Sequence, residues 1–293
     1  MILVFGSINV DLVVPVPHWP GPGETVLGGD YALLPGGKGA NQALAARRAG
    51  SVVMMAGTVG ADGFAETALA VLRRDGVDLD LVRRTQRPTG CAAIMVSAAG
   101  ENLIAVAPGA NAETSAAQVP DAALGPATTL VLQGEVPATE NTALIGRARR
   151  RGARILLNLA PPAPIVGHVL AEIDLLVVNA GEAATLDGEP AQVARRLRQG
   201  LVVTQGAAGV AMFLADGSRS MVPALPIAPL DTTGAGDTFT GVLAAGLDQQ
   251  MPLARALRRA SAAAGLACLA RGAQSGMPDK AAIDAAEARL PRS

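Results

Sequence analysis

Asp231-Thr-Thr-Gly-Ala-Gly-Asp237, running on through Thr-Phe-Thr-Gly241 into the apolar Val242–Leu247, sets small residues between two carboxylates at the start of an expected helix. Glycines allow a positive φ and let a ligand approach the main chain closely. Unpaired amides at a helix N-terminus, reinforced by the helix dipole, make an anion site. A carboxylate placed in such a site repels the anion unless it has another task. Asp237 therefore reads as a proton acceptor beside a phosphate, which is kinase chemistry. The competing reading is a capped helix in which Asp237 only complements the dipole. Capping accounts for one acid at a helix start, but not for two acids framing the Gly-Ala-Gly turn.

Around this stretch, short apolar runs alternate with longer amphipathic ones. Ile2–Phe5, Val52–Ala56, Thr129–Leu132, Ile155–Leu157, Leu175–Val178 and Leu201–Thr204 read as strands. Helices are expected over Ala40–Ala49, Phe64–Arg74, Thr139–Arg150, Ala191–Arg198, Gly236–Leu247, Leu253–Ala270 and Lys280–Leu290. Such alternation, with continuously apolar strands, predicts an α/β fold whose mainly parallel sheet is covered by helices on both faces. Val210–Leu214 and Ser218–Met221, about Asp216-Gly217, read as an antiparallel hairpin. Two regions lack helices. Residues 10–35 carry four prolines within Pro15–Pro22 and then β-type alternation around Glu24–Leu34. Residues 89–106 form a strand pair around Ala98-Ala-Gly-Glu101. Both are expected to join in one small sheet, a lid on a single domain spanning 1–293.

Composition narrows the function. Half of the 293 residues are hydrophobic but only six are aromatic (one Trp, one Tyr, four Phe), so the core must be aliphatic. A net charge of −1 without a basic stripe offers no footprint for nucleic acid. Cys91, Cys268, His18 and His168 have no metal-ligand spacing, which argues against zinc. The N-terminus reads as a strand, not a signal peptide, and no apolar run reaches the ~18 residues of a membrane span. A cytoplasmic protein with reduced thiols is expected, with no membrane or nucleic-acid partner. Of 24 basic residues only Lys38 and Lys280 are lysine, and Lys38 stands inside a glycine cluster.

Four further motifs carry chemistry. In Gly6-Ser-Ile-Asn-Val-Asp11, Asn9 and Asp11 share a strand face and could grip vicinal hydroxyls; a simple turn is the alternative. In Pro35-Gly-Gly-Lys-Gly-Ala-Asn-Gln42, Lys38 and Asn41 share a helix face, and the glycines admit a bound molecule; the spacing is not that of a Walker A loop. In Asn179-Ala-Gly-Glu182 the pair could form a capping box, or Glu182 could order a magnesium-bound water. Thr204-Gln-Gly-Ala-Ala-Gly209 could cradle nucleotide phosphates, although glycine turns of this kind are common. Glu135 and Asn158, at strand ends, say little alone. No GxGxxG follows the first strand, so a nicotinamide-dependent dehydrogenase loses its main support.

In this order, with Arg271-Gly-Ala-Gln274 near the end, these segments resemble the PfkB carbohydrate kinases over essentially the whole chain. The resemblance implies a ribokinase-like α/β sandwich with a β-sheet lid that often pairs with a second subunit. It implies ATP-dependent phosphorylation of a sugar, foremost the primary 5-hydroxyl of D-ribose; fructose, deoxyribose or a nucleoside is the alternative, and a non-catalytic sugar-binding protein a more distant one. Carried onto this chain, it makes Asp237 the base and Gly234, Ala235 and Gly236 the anion hole. Asn9, Asp11, Gly37, Lys38, Asn41 and Glu135 become sugar contacts. Asn179 falls with Glu182 on the magnesium–phosphate motif, while Thr204, Gly206, Gly209 and Ser261 lie on the nucleotide side. A potassium ion is implied at Asp231 with the carbonyls of Thr233, Ala267, Ala270 and Gly272. The family's serine ligand there falls on Gly276, with Ser275 beside it. Trp19 and Tyr31 fall in the expected lid, where a nucleoside base could stack or the rings could simply pack.

Overall fold

Alternate residues of the first strand go to opposite faces of the main sheet. Ile2 and Val4 join one aliphatic cluster, Leu3 and Phe5 the other. A strand buried on both sides has no polar face to alternate, which is why its sequence is a continuous apolar run. The computed structural model describes residues 1–165 and 167–290.

The strands are β1 (Ile2–Phe5), β2 (Asn9–Pro15), β3 (Ala32–Gly36), β4 (Val53–Gly60), β5 (Asp78–Thr85), β6 (Gly90–Val96), β7 (Asn102–Ala107), β8 (Thr129–Gln133), β9 (Arg154–Asn158), β10 (Leu175–Asn179), β11 (Gly200–Thr204), β12 (Val210–Leu214) and β13 (Arg219–Val222). Among the described residues the main sheet runs β13-β12-β11-β10-β9-β8-β1-β4-β5, and a second sheet runs β3-β2-β6-β7. The main sheet is parallel from β5 to β11 and closes with the antiparallel β12 and β13. The longer helices are α1 (Lys38–Arg48), α2 (Gly63–Arg74) and α3 (Ala138–Arg150), then, after the short α4 (Gly167–Leu170), α5 (Ala180–Ala183) and α6 (Pro190–Ala194), α7 (Ala235–Asp248), α8 (Leu253–Ala267) and α9 (Lys280–Glu287).

Several expected boundaries move. The helix expected to reach Arg198 is helical only over Pro190–Ala194, and α8 stops at Ala267 instead of Ala270. β5 was not legible: its Asp78, Asp80, Arg83 and Arg84 mask the strand pattern, yet it pairs with β4 at the sheet edge, where charged side chains are tolerated. In the lid, alternation around Glu24–Leu34 yields a strand only from Ala32, so Trp19 and Tyr31 lie outside the lid strands. None of the described helices is long and apolar enough to cross a membrane.

The parallel strands all deliver their C-terminal ends to one edge, where ligands gather in open α/β sheets. The last residues of β8, β9, β10 and β11 are polar there. Gln133 pairs with Asn158, and Asn179 with Thr204, across neighbouring strands.

Candidate active site

At that edge α7 begins. Its N-cap Gly234 takes φ 75°, a left-handed conformation, and a Cβ there would also lie 2.8 Å from Ala273. Glycine is therefore required twice over at the turn that aims α7's first amides outward. The Ala235 amide is engaged by Thr232 O at 3.2 Å, whereas open space faces Gly236. Of the three expected anion-hole residues, Ala235 thus has its N–H engaged within the turn.

Asp237 follows and is buried. Asn41 Nδ2 donates to its Oδ2 at 2.9 Å and Gln42 Nε2 to its Oδ1 at 3.0 Å. Both donors come from α1, which contacts α7 extensively because Gly241 leaves no side chain between the helices; a Cβ there would sit 2.4 Å from Gln42 O. Lys38, at the start of α1, lines a cavity of about 190 Å³ with Asn158, Asn179, Glu182, Thr204, Gly236 and Asp237. The Asp237 charge foremost, then those of Glu135, Glu182 and Asp11, raises the Lys38 ammonium above its ordinary value despite burial. Lys38 therefore stays charged at the centre of four carboxylates. Its partner motif at Gly37 has φ 89°, and a Cβ would meet Asn9 N at 2.7 Å.

The lid strand β2 approaches from the other side. Asn9 Oδ1 accepts from Asn111 Nδ2 at 2.6 Å, which leaves the Asn9 amide hydrogens for a ligand. Asn111 is itself locked by Ile8 N at 2.9 Å. Burial foremost, with the Glu135 and Asp237 charges adding and Lys38 opposing, pushes the Asp11 carboxyl up to about 6. Glu135 Oε2 accepts from Ser7 Oγ at 2.6 Å and from Lys38 N at 3.1 Å. Asn9, Asp11, Gly37, Lys38, Asn41, Glu135 and Asp237 thus converge from β2, α1, the loop after β8 and α7.

A second cavity of about 340 Å³ adjoins the first at Thr204 and Gly236. Gly206, Gly209, Leu225, Ile227, Phe239, Ser261 and Cys268 line it, giving a largely apolar slot. The Ser261 hydroxyl is turned away to Pro223 O at 2.8 Å. Asn179 and Glu182 do form the capping box: Glu182 N donates to Asn179 Oδ1 and Asn179 N to Glu182 Oε2, both at 2.8 Å. One Glu182 oxygen therefore serves the helix, and its position on the cavity wall leaves the other for a ligand. Among the described residues no three His, Cys, Asp or Glu side chains converge as a metal site.

On the far side of the α7 turn, Asp231 Oδ1 accepts from Thr233 N at 2.9 Å and Oδ2 from Gly272 N at 2.8 Å. Burial pushes this carboxyl up, but these amides, with help from Arg271, outweigh burial and hold it below the usual carboxylate range. The Ala267 and Gly272 carbonyl oxygens lie 2.6 and 3.4 Å from the point a Cβ on Gly276 would take. Ser275 does not point there freely: its hydroxyl donates to Arg271 O and, at 3.3 Å, to Gly272 O. Ala270 follows α8 in the same loop.

Gln42, Gln133, Gln274, Ser7 and Asn111 had no assigned role in the sequence. Ser7, Gln42 and Gln274 sit within the quoted motifs, but their work, like that of Gln133 and Asn111, depends on partners far away in the chain.

The description "pfkB family carbohydrate kinase" matches residues 1–280. The chain is 34% identical over 287 residues to a ribokinase of Bacillus subtilis, covering 97% of this chain and 98% of that one. Its fold superposes on a ribokinase of Thermotoga maritima with a TM-score of 0.91 at 28% identity, over 98% of both chains. An Arabidopsis thaliana ribokinase complexed with ribose and ATP matches with a TM-score of 0.86 at 28% identity, again over 98% of each. With its site built at the strand ends and its family model spanning nearly the whole sequence, the chain belongs to the PfkB family of carbohydrate kinases.

Proposed function

We propose that the protein transfers the γ-phosphoryl group of ATP to the 5-hydroxyl of D-ribose in the cytoplasm, with Asp237 as base. The observation that carries this is Asp237 itself. It lies buried at the N-terminus of α7, gripped by two amides, with Lys38 across a cavity that opens into an apolar slot. Asn9 and Asp11 would hold the sugar's ring hydroxyls, with Gly37, Lys38, Asn41 and Glu135 completing the pocket. Asp237 takes the proton of the attacking hydroxyl as the phosphorus–oxygen bond forms. Gly236, with Gly234 and Ala235 shaping the turn, stabilises charge on the phosphoryl oxygens. Thr204, Gly206 and Gly209 would flank the nucleotide, and Ser261 the base.

Magnesium fits Glu182, because that ion commonly takes one or two carboxylates together with phosphates and water. It would neutralise charge on the phosphates. A potassium ion fits the oxygen donors of this loop: the Ala267 and Gly272 carbonyls lie close to one point beside Gly276, and amides hold the Asp231 carboxyl below the usual carboxylate range. Thr233 and Ala270 would contribute carbonyls there, and Ser275 could add its oxygen only by giving up its bonds to Arg271 and Gly272. The lid offers a dimer surface: edge strand β7 is exposed at every position and carries Leu103, Ile104 and Val106 without a charge.

The test is ADP formation with ribose, deoxyribose, fructose and nucleosides, each with and without potassium. Ribose is expected to give the highest kcat/KM. Equal rates across the sugars would overturn the ribose assignment, and equal rates without potassium the cation site. A protein that binds ribose but forms no ADP would be a non-catalytic binder.

A further inference from the structure

Each oxygen of Asp237 ends a relay of two side-chain amides. On one side Gln274 Nε2 donates to Asn41 Oδ1 at 3.1 Å, and Asn41 Nδ2 to Asp237 Oδ2 at 2.9 Å. On the other, Gln133 Nε2 donates to Gln42 Oε1 and Gln42 Nε2 to Asp237 Oδ1, both at 3.0 Å. Gln42 Nε2 also donates to Asn158 Oδ1 at 3.0 Å, so both of its hydrogens are engaged. Asn158 is anchored in turn on Val177 O at 3.2 Å. Turning the Gln42 amide over would set its oxygen against those of Asp237 and Asn158, and its nitrogen against that of Gln133. Only one orientation satisfies all three neighbours.

Gln42 and Gln133 are wholly buried. An apolar residue of similar length would fill the place of Gln42 but would take this partner from Asp237 Oδ1, Asn158 Oδ1 and Gln133 Nε2, so the amide is there for those groups and not for volume. The end of β1 also makes room for the relay: a Cβ on Gly6 would lie 1.7 Å from Gln133 Oε1. The Gln133 main chain is further fixed by Asn141 Nδ2, which donates to its backbone carbonyl at 2.7 Å. An amide N–H only donates, so the bonds to Asp237 leave its remaining lone pairs to receive a proton.

We propose that Gln42, steadied by Gln133, is a positioning residue that sets the plane of the Asp237 carboxylate for proton transfer. The proposal rests on Asp237 being the base. Gln42 serves the carboxylate's geometry and not sugar binding, because all its polar atoms are committed to protein groups.

The experiment compares Gln42→Met, Gln133→Met and Asp237→Asn in the intact enzyme, reading kcat, the KM of sugar and of ATP, and thermal unfolding. Gln42→Met is expected to lower kcat about 10–100-fold with both KM values within about 3-fold. Gln133→Met leaves the Asp237 contact in place and is expected to lower kcat about 3–10-fold in the same pattern. Unchanged kcat in Gln42→Met, or kcat and KM moving together, overturns the proposal. If Gln42→Met does not fold, Gln133→Met decides by the same split. Retained turnover in Asp237→Asn removes the base assignment itself, whereas an inactive Asp237→Asn beside a fully active Gln42→Met removes only the role of Gln42.

Discussion

The body and the lid each present an aspartate to the same pocket, and they hold it in opposite ways. Asp237, in the body, has both oxygens gripped by amides from α1. The carboxylate of Asp11, on lid strand β2, receives no hydrogen bond among the described residues. Its carboxyl is pushed up to about 6 by burial and by the neighbouring charges of Glu135 and Asp237. The body acid is preorganised before a ligand arrives, whereas the lid acid is under strain from its surroundings that sugar hydroxyls could relieve. The same contrast runs through the sheets. The body strands β1 and β8 are buried throughout, and the lid edge β7 is exposed throughout.

The sharpest break would come at Asp237. Asp237→Asn is expected to cut kcat by at least ~10² while sugar binding stays near normal, since a neutral amide accepts no proton. Calorimetric sugar binding beside turnover would check this, and retained turnover would take Asp237 out of the base role.

At Asp11 the effect should fall on binding. Asp11→Asn is expected to raise the sugar KM by about 10-fold or more, as hydrogen bonds to a charged group are lost. In the wild type the ionised carboxylate accepts from sugar hydroxyls more strongly than the neutral acid does, so KM should climb as pH falls through about 6. Stability should run the other way. The folded Asp11 titrates above its unfolded value, so its contribution to stability falls as pH rises from about 4 through 6. Asp11→Asn should therefore stabilise the ligand-free enzyme at pH 7 by up to about 3 kcal/mol, read from denaturant unfolding. A KM that is flat with pH would equate the two acids and end the contrast.

The smallest expected effect lies on the lid edge. Ile104→Lys should convert a dimer to a monomer in sedimentation while changing kcat less than about 3-fold, because β7 carries none of the pocket residues. A wild type that is already monomeric would leave β7 without that role.

The body was largely legible because its strands announce themselves: Ile2–Phe5 and Leu175–Val178 are apolar runs with one possible fate. The lid was less so. The alternation read around Glu24–Leu34 yields a strand only from Ala32, and β5 hides its pairing behind charges that an edge position tolerates. In the site, Asp237, Lys38, Asn41 and Glu182 could be picked out because each belongs to a short motif. Asn179–Glu182 also showed why local reading leaves alternatives open: the capping box forms, and its acid still lines the cavity.

The sequence by itself determined the α/β alternation, the family, and the acid at the head of α7, since each is written in local spacing. The tertiary structure alone decided that Gln133, Gln42 and Asn158 meet around that acid, and that Asn111 from far along the chain occupies one side of Asn9. Hydrogen bonds between side chains 91 to 116 residues apart depend on how β8, β9 and α1 are packed together. No local pattern encodes that packing, because it follows from burying the whole sheet at once.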